Sequence, residues 1–169
     1  MRIFLTQTYA IEDCAYWNPT GCSFTSNSST DRQESTGLEA FEFVPPTNWQ
    51  LTYDLHDTSN SKRFYLVSKG QSTGGSNRYG IGADTNSSNH DVVMVLRTTS
   101  SASQVGSSSD YPAHIKWVVE GTTIKGYVGN TLVRTDTVNW WNTYKPYIFK
   151  WGIWASGTVT VTNIKVKPL

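Results

Sequence analysis

Residues 139–144 read Asn-Trp-Trp-Asn-Thr-Tyr and are the densest group of side chains suited to binding a ligand. Sugars present flat C–H faces that stack on Trp and Tyr, while amides and Arg hydrogen-bond their hydroxyl groups. Successive side chains of an extended segment point in opposite directions, so we expect one of Trp140 and Trp141 to be exposed. The alternative is that one indole fills an end of the core and the other packs at its rim.

Further aromatic, amide and basic side chains suited to the same chemistry stand in other segments between predicted strands. We expect a ligand to be bound by the following residues: Trp140, Trp141, Asn142 and Tyr144 in one connection, Tyr111 after a Ser-rich segment, Arg78 after a Ser/Gly segment, and Trp17 in a short loop between two cysteines. This pattern favours carbohydrate as the ligand, and cell-surface glycan as the partner.

Residues 84–91 concentrate oxygen-bearing side chains in a short stretch. Ca²⁺ takes six to eight oxygen ligands, and Asp84, Asn86 and Asp91 are the candidates to supply some of them. The segment lacks the Gly and the terminal Glu of a helical calcium loop. The alternative is a solvated loop, and we otherwise expect no cofactor.

Cys14 and Cys22 bracket a turn marked by Asn18, Pro19 and Gly21. A disulfide closing this loop would contribute about 2.5 kcal/mol in the chain-entropy model. Two cysteines at this spacing, with three histidines far away in the sequence, do not make a zinc site. We expect the disulfide, with two free thiols as the alternative.

Motifs for catalysis are lacking in the sequence. A glycosidase needs two carboxylates about 5–9.5 Å apart, whereas the spacing of Glu39 and Glu42, like that of Asp54 and Asp57, sends the two side chains of each pair to opposite faces of a strand. No Gly-x-Ser-x-Gly elbow or phosphate-binding Gly loop is present. The sequence therefore predicts a domain that is not an enzyme.

The composition favours a single domain for residues 1–169, cut from a larger protein or released without a leader, since Met1 to Leu5 is too short for a signal peptide. Only 16% of the residues are charged, and the net charge is +1. This uncharged polar surface suits an extracellular or virion location. Because Lys and Arg form no run, we expect no nucleic-acid partner, and no apolar stretch is long enough for membrane insertion.

Short β-branched and aromatic runs separated by Ser, Gly and Asn are typical of an all-β sandwich, and no helical period is sustained. We expect loops at 70–77, 84–90 and 99–110, and assign Trp49, Trp117 and Trp151 to the core. The predicted strands are 3–8, 14–17, 38–44, 49–55, 63–68, 79–83, 92–98, 114–120, 123–128, 131–134, 147–154 and 158–167.

The C-terminal third carries a family resemblance. A strand ending Val-Val-Glu-Gly121 runs into a hairpin with Tyr-Val-Gly129, and a Trp-Gly-Ile153 strand precedes a terminal Val-Thr-Asn-Ile-Lys-Val166 strand. This order resembles the concanavalin A-like lectin/glucanase superfamily, including laminin-G-like domains. The resemblance implies an antiparallel two-sheet jelly roll with its last strand beside one of the first. It also favours the predicted calcium site, because many relatives bind calcium at a rim of the sandwich.

The Ser/Thr richness and the Ile-Glu-Asp-Cys14 start also resemble receptor-binding domains of viral tail fibres. From these patterns we expect a non-catalytic adhesin or receptor-binding domain, present as a homo-oligomer such as a trimer in a fibre. Two alternatives remain: a structural oligomerising domain of a virion or surface appendage, and a glucanase-like glycoside hydrolase with a degenerate motif.

Overall fold

The computed structural model describes residues 2–4, 9–10, 22–26, 42–56, 62–68, 79–85, 92–98, 101–108, 111–141, 143–145, 147–153 and 157–169. Within these ranges the chain contains strands and turns and no helix, and hence no helix that could cross a bilayer. The strands are β1 (Arg2–Phe4), β2 (Tyr9–Ala10), β3 (Cys22–Ser26), β4 (Glu42–Val44), β5 (Asn48–His56), β6 (Lys62–Ser68), β7 (Gly80–Thr85), β8 (Val92–Thr98), β9 (Ser101–Ser108), β10 (Ala113–Glu120), β11 (Thr123–Val128), β12 (Thr131–Thr137), β13 (Tyr147–Ile153) and β14 (Gly157–Pro168).

The strands form two sheets. Sheet A has the order β1-β4-β13-β6-β7-β8-β9, and sheet B has the order β12-β11-β10-β5-β14-β2, with β3 also paired to β14. The described pairs are antiparallel apart from β1 with β4. The predicted all-β antiparallel sandwich is therefore confirmed, as is the expectation that the last strand lies beside early ones.

Period-two alternation placed β5, β10 and β11 because each of these strands has one buried face and one more exposed face. In β5 the buried Trp49, Leu51, Tyr53 and Leu55 alternate with partly exposed polar residues. These four side chains are fully buried, and they face the inner side chains of sheet A in one apolar cluster. Burial of each such side chain contributes about 1.5–3 kcal/mol. Trp49 and Trp117 are core residues as predicted; Trp151 lies in β13, and its side chain is outside the described part.

The prediction of a loop over 99–110 is wrong for residues 101–108, which form β9. This Ser-rich strand pairs along its length with β8, so that Met94 lies opposite Val105 and Leu96 opposite Ser103. Ser and Gly have low intrinsic β propensity, but pairing with an apolar neighbouring strand overrides that preference. The predicted loop at 84–90 also begins too early, since Asp84 and Thr85 belong to β7.

The outer face of sheet A carries a second apolar cluster of Tyr65, Val67, Val93 and Val95. Its geometry depends on Gly82, which lies opposite Tyr65 in the adjacent strand. A methyl group on Gly82 would stand 2.2 Å from the Tyr65 ring and 2.3 Å from the Phe64 carbonyl oxygen. The missing side chain is therefore what lets the tyrosine ring lie against β7.

A bulge in β14 fixes the polar outer face of sheet B. Asn163 has a φ of 54°, a conformation that Asn tolerates better than most residues, and the register with β5 shifts between Thr162 and Lys165. The Asn163 amide donates to Asp54 Oδ2 at 2.6 Å, and His114 Nδ1 lies 2.8 Å from Asp54 Oδ1. The Asp54 carboxylate in β5 is therefore hydrogen-bonded to both flanking strands, to Asn163 in β14 and to His114 in β10.

The pKa of Asp54 results from opposing effects. Partial burial works to raise the pKa, but hydrogen bonds from Asn163 and His114, together with the charges of His114 and His56, outweigh burial and hold the pKa below its ordinary value. A carboxyl whose folded pKa is depressed stabilises the fold above its unfolded pKa, and this contribution is lost as the pH falls through the folded value.

We expect Gly82→Ala to lower the free energy of unfolding by about 1–3 kcal/mol, the usual result of adding a methyl group where there is no space. Urea denaturation measured against the wild type checks this. The substitution Thr135→Ala, at an exposed position of β12, is the control and should leave the midpoint unchanged. Equal midpoints for Gly82→Ala and the wild type would contradict the described packing of Tyr65.

We expect Asp54→Asn to lower stability at pH 7, because the amide cannot accept both hydrogen bonds as the carboxylate does. Between about pH 5 and pH 3 the wild type should lose stability more steeply than the variant, since Asp54 becomes protonated and its charge no longer stabilises the fold. Chemical denaturation across this pH range measures both slopes. Parallel slopes for the two proteins would show that Asp54 is not held in its charged form.

Candidate functional site

The connection between β12 and β13 turns back on itself instead of running extended. The backbone N–H groups of Thr143 and Tyr144 donate to the Trp140 carbonyl at 3.0 and 3.1 Å, and the Val138 N–H donates to the Thr122 carbonyl at 2.7 Å. Side chains do not alternate between two faces in such a turn as they do along a strand, so both neighbouring indoles can point inward. The expectation that one of Trp140 and Trp141 is exposed is therefore wrong: their exposed fractions are 7% and 5%.

The two indoles extend the core toward this end of the sandwich. Their ring centroids lie 4.2 Å apart, and the Trp141 ring lies 5.3 Å from Trp49 in an edge-on arrangement and 4.7 Å from Tyr147. Burial raises the pKa of Tyr147, whose hydroxyl donates to the Trp141 carbonyl at 3.4 Å. Aromatic pairs of this kind contribute about 0.5–1.5 kcal/mol beyond their buried area, so these indoles form a rigid floor.

Two half-buried tyrosines lie on this floor. The rings of Tyr79 and Tyr144 are stacked, with centroids 4.0 Å apart and planes 11° from parallel, and the Tyr79 ring lies 5.2 Å from that of Trp140. The hydrogen bond between the two phenols is the main cause that raises the pKa of Tyr79, because it favours the protonated form. We call Tyr79, Trp140, Trp141 and Tyr144 the aromatic end.

Ser68 at the end of β6 holds both tyrosines in place. Its N–H donates to the Tyr79 carbonyl at 2.9 Å, and its hydroxyl donates to the Tyr144 carbonyl. One buried residue thus connects the beginning of β7 to the turn before β13. The two rings are positioned by backbone hydrogen bonds, which makes the pair preorganised for contact with a flat ligand.

The floor of the aromatic end also contains two hydrogen-bond donors. The indole Nε1 atoms of Trp140 and Trp141 are buried and have no hydrogen-bond acceptor among the described residues. A buried donor without an acceptor costs about 1–3 kcal/mol. Because both N–H groups are covered, they belong to the floor and not to the surface that a ligand can reach.

Sequence reasoning missed Tyr79, which was assigned only to the start of a strand. The signal that could have found it is its position directly after Arg78 and the Ser/Gly segment, where a strand begins at an end of the sandwich. Arg78, Asn142 and Trp17 themselves lie outside the described residues, as does the Cys14 end of the predicted disulfide. Cys22 is in β3, but its side chain is outside the described part.

Tyr111 lies at the opposite end of the sandwich and does not join the predicted group. It is half-buried and precedes Ala113, which pairs with Leu55 near the end of β5, whereas Trp49 near the beginning of β5 contacts Trp141. Six strand residues at about 3.3 Å each separate these ends by roughly 20 Å. A single sugar ring cannot contact both.

Asp84, the predicted calcium ligand that the structure describes, is also near that opposite end. Asp84 is in β7 with 3% of its surface exposed, in register with Arg63 and Val93. Asn86 and Asp91 lie outside the described residues. Where the structure describes the chain, no three His, Cys, Asp or Glu side chains come close enough to hold a metal ion, so the calcium site stays a prediction.

Comparison with known proteins shows the fold. No protein-family model and no curated protein sequence matches the chain. Among solved structures, the chain is similar to the transglycosylase Crh5 in complex with NAG, with a TM-score of 0.61, 11% identity and coverage of 97% of this chain and 85% of that one.

Two carbohydrate-binding domains of known structure are also similar to the chain in fold. The metal-free carbohydrate recognition domain of Emp46p has a TM-score of 0.55 and 10% identity, covering 75% of this chain and 73% of its own. The carbohydrate-binding module CBM66 from Bacillus subtilis has a TM-score of 0.51 and 15% identity over 98% of both chains.

The likeness to a transglycosylase over 97% of the chain contradicts the prediction that the chain is not an enzyme, while the likeness to a carbohydrate-binding module covers 98% of it. The prediction relied on the lack of a local carboxylate motif. Catalytic groups on a sandwich can converge from different strands, so one strand's spacing does not decide the matter. What the two-sheet topology and these likenesses establish together is that the chain has the fold of the concanavalin A-like lectin/glucanase superfamily.

Proposed function

We propose that the chain binds carbohydrate at the aromatic end, through the stacked rings of Tyr79 and Tyr144. The observation that carries this proposal is a parallel tyrosine pair, half-buried and fixed by Ser68, on a floor of two buried indoles. The fold likenesses to a carbohydrate recognition domain, a carbohydrate-binding module and a transglycosylase holding NAG support carbohydrate as the ligand class.

The chemistry of the site suits a sugar ring. One C–H face of a pyranose packs against an aromatic face, while its hydroxyl groups need directed hydrogen bonds. In the sequence, Arg78 directly precedes Tyr79 and Asn142 stands two residues before Tyr144, which makes these two residues the candidates for such hydrogen bonds.

A site built on one tyrosine pair binds weakly, so useful affinity requires several copies acting together. We therefore propose recognition of cell-surface glycan by an extracellular or virion-displayed protein that carries this domain in multiple copies. A structural oligomerising role is the competing explanation of the same aromatic rings. Light scattering after size exclusion, with and without oligosaccharide, distinguishes the two, since an interface that covers Tyr144 would exclude the sugar.

A second candidate is chemistry on glycosidic bonds. It is favoured by the fold likeness to Crh5 and by Asp84, a carboxylate almost fully buried on the outer face of sheet A beside Gly82. Glycoside cleavage requires such a group together with a second carboxylate. Mass spectrometry of oligosaccharides after incubation separates the candidates: shortened or transferred products that vanish in Asp84→Asn would favour catalysis, and intact sugar would favour binding alone.

We expect Tyr144→Ala to weaken oligosaccharide binding about tenfold, the equivalent of one lost aromatic contact of roughly 1.4 kcal/mol. Tyr144→Phe should change affinity much less, because the ring is kept. A glycan array followed by calorimetry on the best ligand provides the measurement. Tyr127→Ala, a half-buried tyrosine on sheet B, is the matched control. Equal affinity for Tyr144→Ala and wild type would refute the site.

A further inference from the structure

The outer face of sheet B gathers lysines that are scattered in the sequence. Lys116 in β10 and Lys165 in β14 both lie in register with Thr52 of the intervening β5, and Lys167 lies in register with Gln50. These positions alternate with buried ones such as Trp117 and Val166, so their side chains face outward. We call Lys116, Lys165 and Lys167 the basic face.

The carboxylates of Glu120 and Asp54, which the structure describes on this face of the sheet, are already engaged. Glu120 accepts a hydrogen bond from Lys125 at 2.8 Å, and Asp54 accepts from Asn163 and is bonded to His114. Lys116 lies over the Tyr127 ring, 4.2 Å from its centroid. In the described part of the chain none of the three lysines of the basic face has a carboxylate within ion-pairing distance, which leaves three positive charges unneutralised.

The spacing of these charges determines what can bind them. Lys116 and Lys165 are separated by two strand spacings, about 9.6 Å between Cα atoms, and Lys165 and Lys167 by about 6.7 Å along one strand. A chain bearing negative groups at intervals can reach all three ammonium groups, while the Thr52 hydroxyl and Gln50 amide between the lysines bond its uncharged oxygens.

We propose that the basic face binds an acidic polysaccharide, a glycan chain carrying carboxylate or sulfate groups. Single-stranded nucleic acid is disfavoured because it requires aromatic rings open for base stacking, whereas Lys116 covers the Tyr127 ring. The basic face is on the outer side of sheet B, whereas Trp49, the neighbour of Gln50, points into the core toward Trp141. The two surfaces use different side chains, so this inference does not depend on the proposed sugar site.

The test measures binding of the whole chain to polygalacturonate, to heparin and to neutral dextran, with single-stranded DNA and phosphatidylserine vesicles as further probes. We expect polygalacturonate, heparin or both to bind, with an affinity that falls as salt rises, and dextran not to bind at this face. Lys165→Gln with Lys167→Gln should weaken binding at least tenfold, and Lys116→Gln about fivefold, since each lysine near an anionic surface contributes a similar increment.

Three controls make the result specific. Replacing Lys165 and Lys167 by Arg should restore binding, because the charge is kept. Lys145→Gln removes one exposed positive charge elsewhere and should have little effect. Tyr144→Ala should keep polyanion binding even if the aromatic end is the neutral-sugar site, so the two proposals can fail separately.

Loss of affinity in Lys145→Gln equal to that in Lys116→Gln would overturn the proposal, since binding would then follow net charge alone. Equal or tighter lysine-dependent binding to DNA or vesicles would overturn the choice of polysaccharide. Failure of both acidic glycans to bind at low salt would overturn the basic face as a site.

Discussion

The structure depends on the burial of one face of β5 against sheet A. Trp49, Leu51, Tyr53 and Leu55 are fully buried there, and the Tyr53 hydroxyl crosses to the Phe64 carbonyl of the opposite sheet at 3.3 Å. A shift of β5 by one residue would place all four side chains in water. This constraint fixes the register of β10 and β14 on either side and, through them, the ends and outer faces where ligands can bind.

The same constraint explains which strands could be predicted from sequence. Strands β5, β10 and β11 have one buried and one solvated face, and period-two spacing identified β11 to the residue. Ser-rich β9 could not be found in this way, since its stability comes from pairing with β8 and not from its own side chains. The spacing of apolar residues predicts a strand that buries only one of its faces, and it fails for a strand that is stabilised mainly by pairing with its neighbour.

The candidate site was predictable in location but not in detail. The Trp-Trp motif lies in the aromatic end, yet the alternation expected of an extended segment assigned one indole to solvent, because the sequence does not reveal the turn around Trp140. Tyr79 joins Tyr144 only through the sheet order that places the start of β7 near the turn before β13. The basic face arises likewise from strand neighbours, which is why a linear scan for lysine runs found nothing.

In the proposed site, sugar contacts Tyr79 and Tyr144 while the indoles beneath stay buried. The most direct measurement is an NMR titration with oligosaccharide that follows the assigned tyrosine ring signals and tryptophan indole N–H signals together. Both tyrosine ring signals should shift with one dissociation constant, and the indole signals of Trp140 and Trp141 should resist exchange with D₂O throughout. Shifts confined to Tyr111, or rapid exchange of either indole in the free protein, would rule out the proposed site.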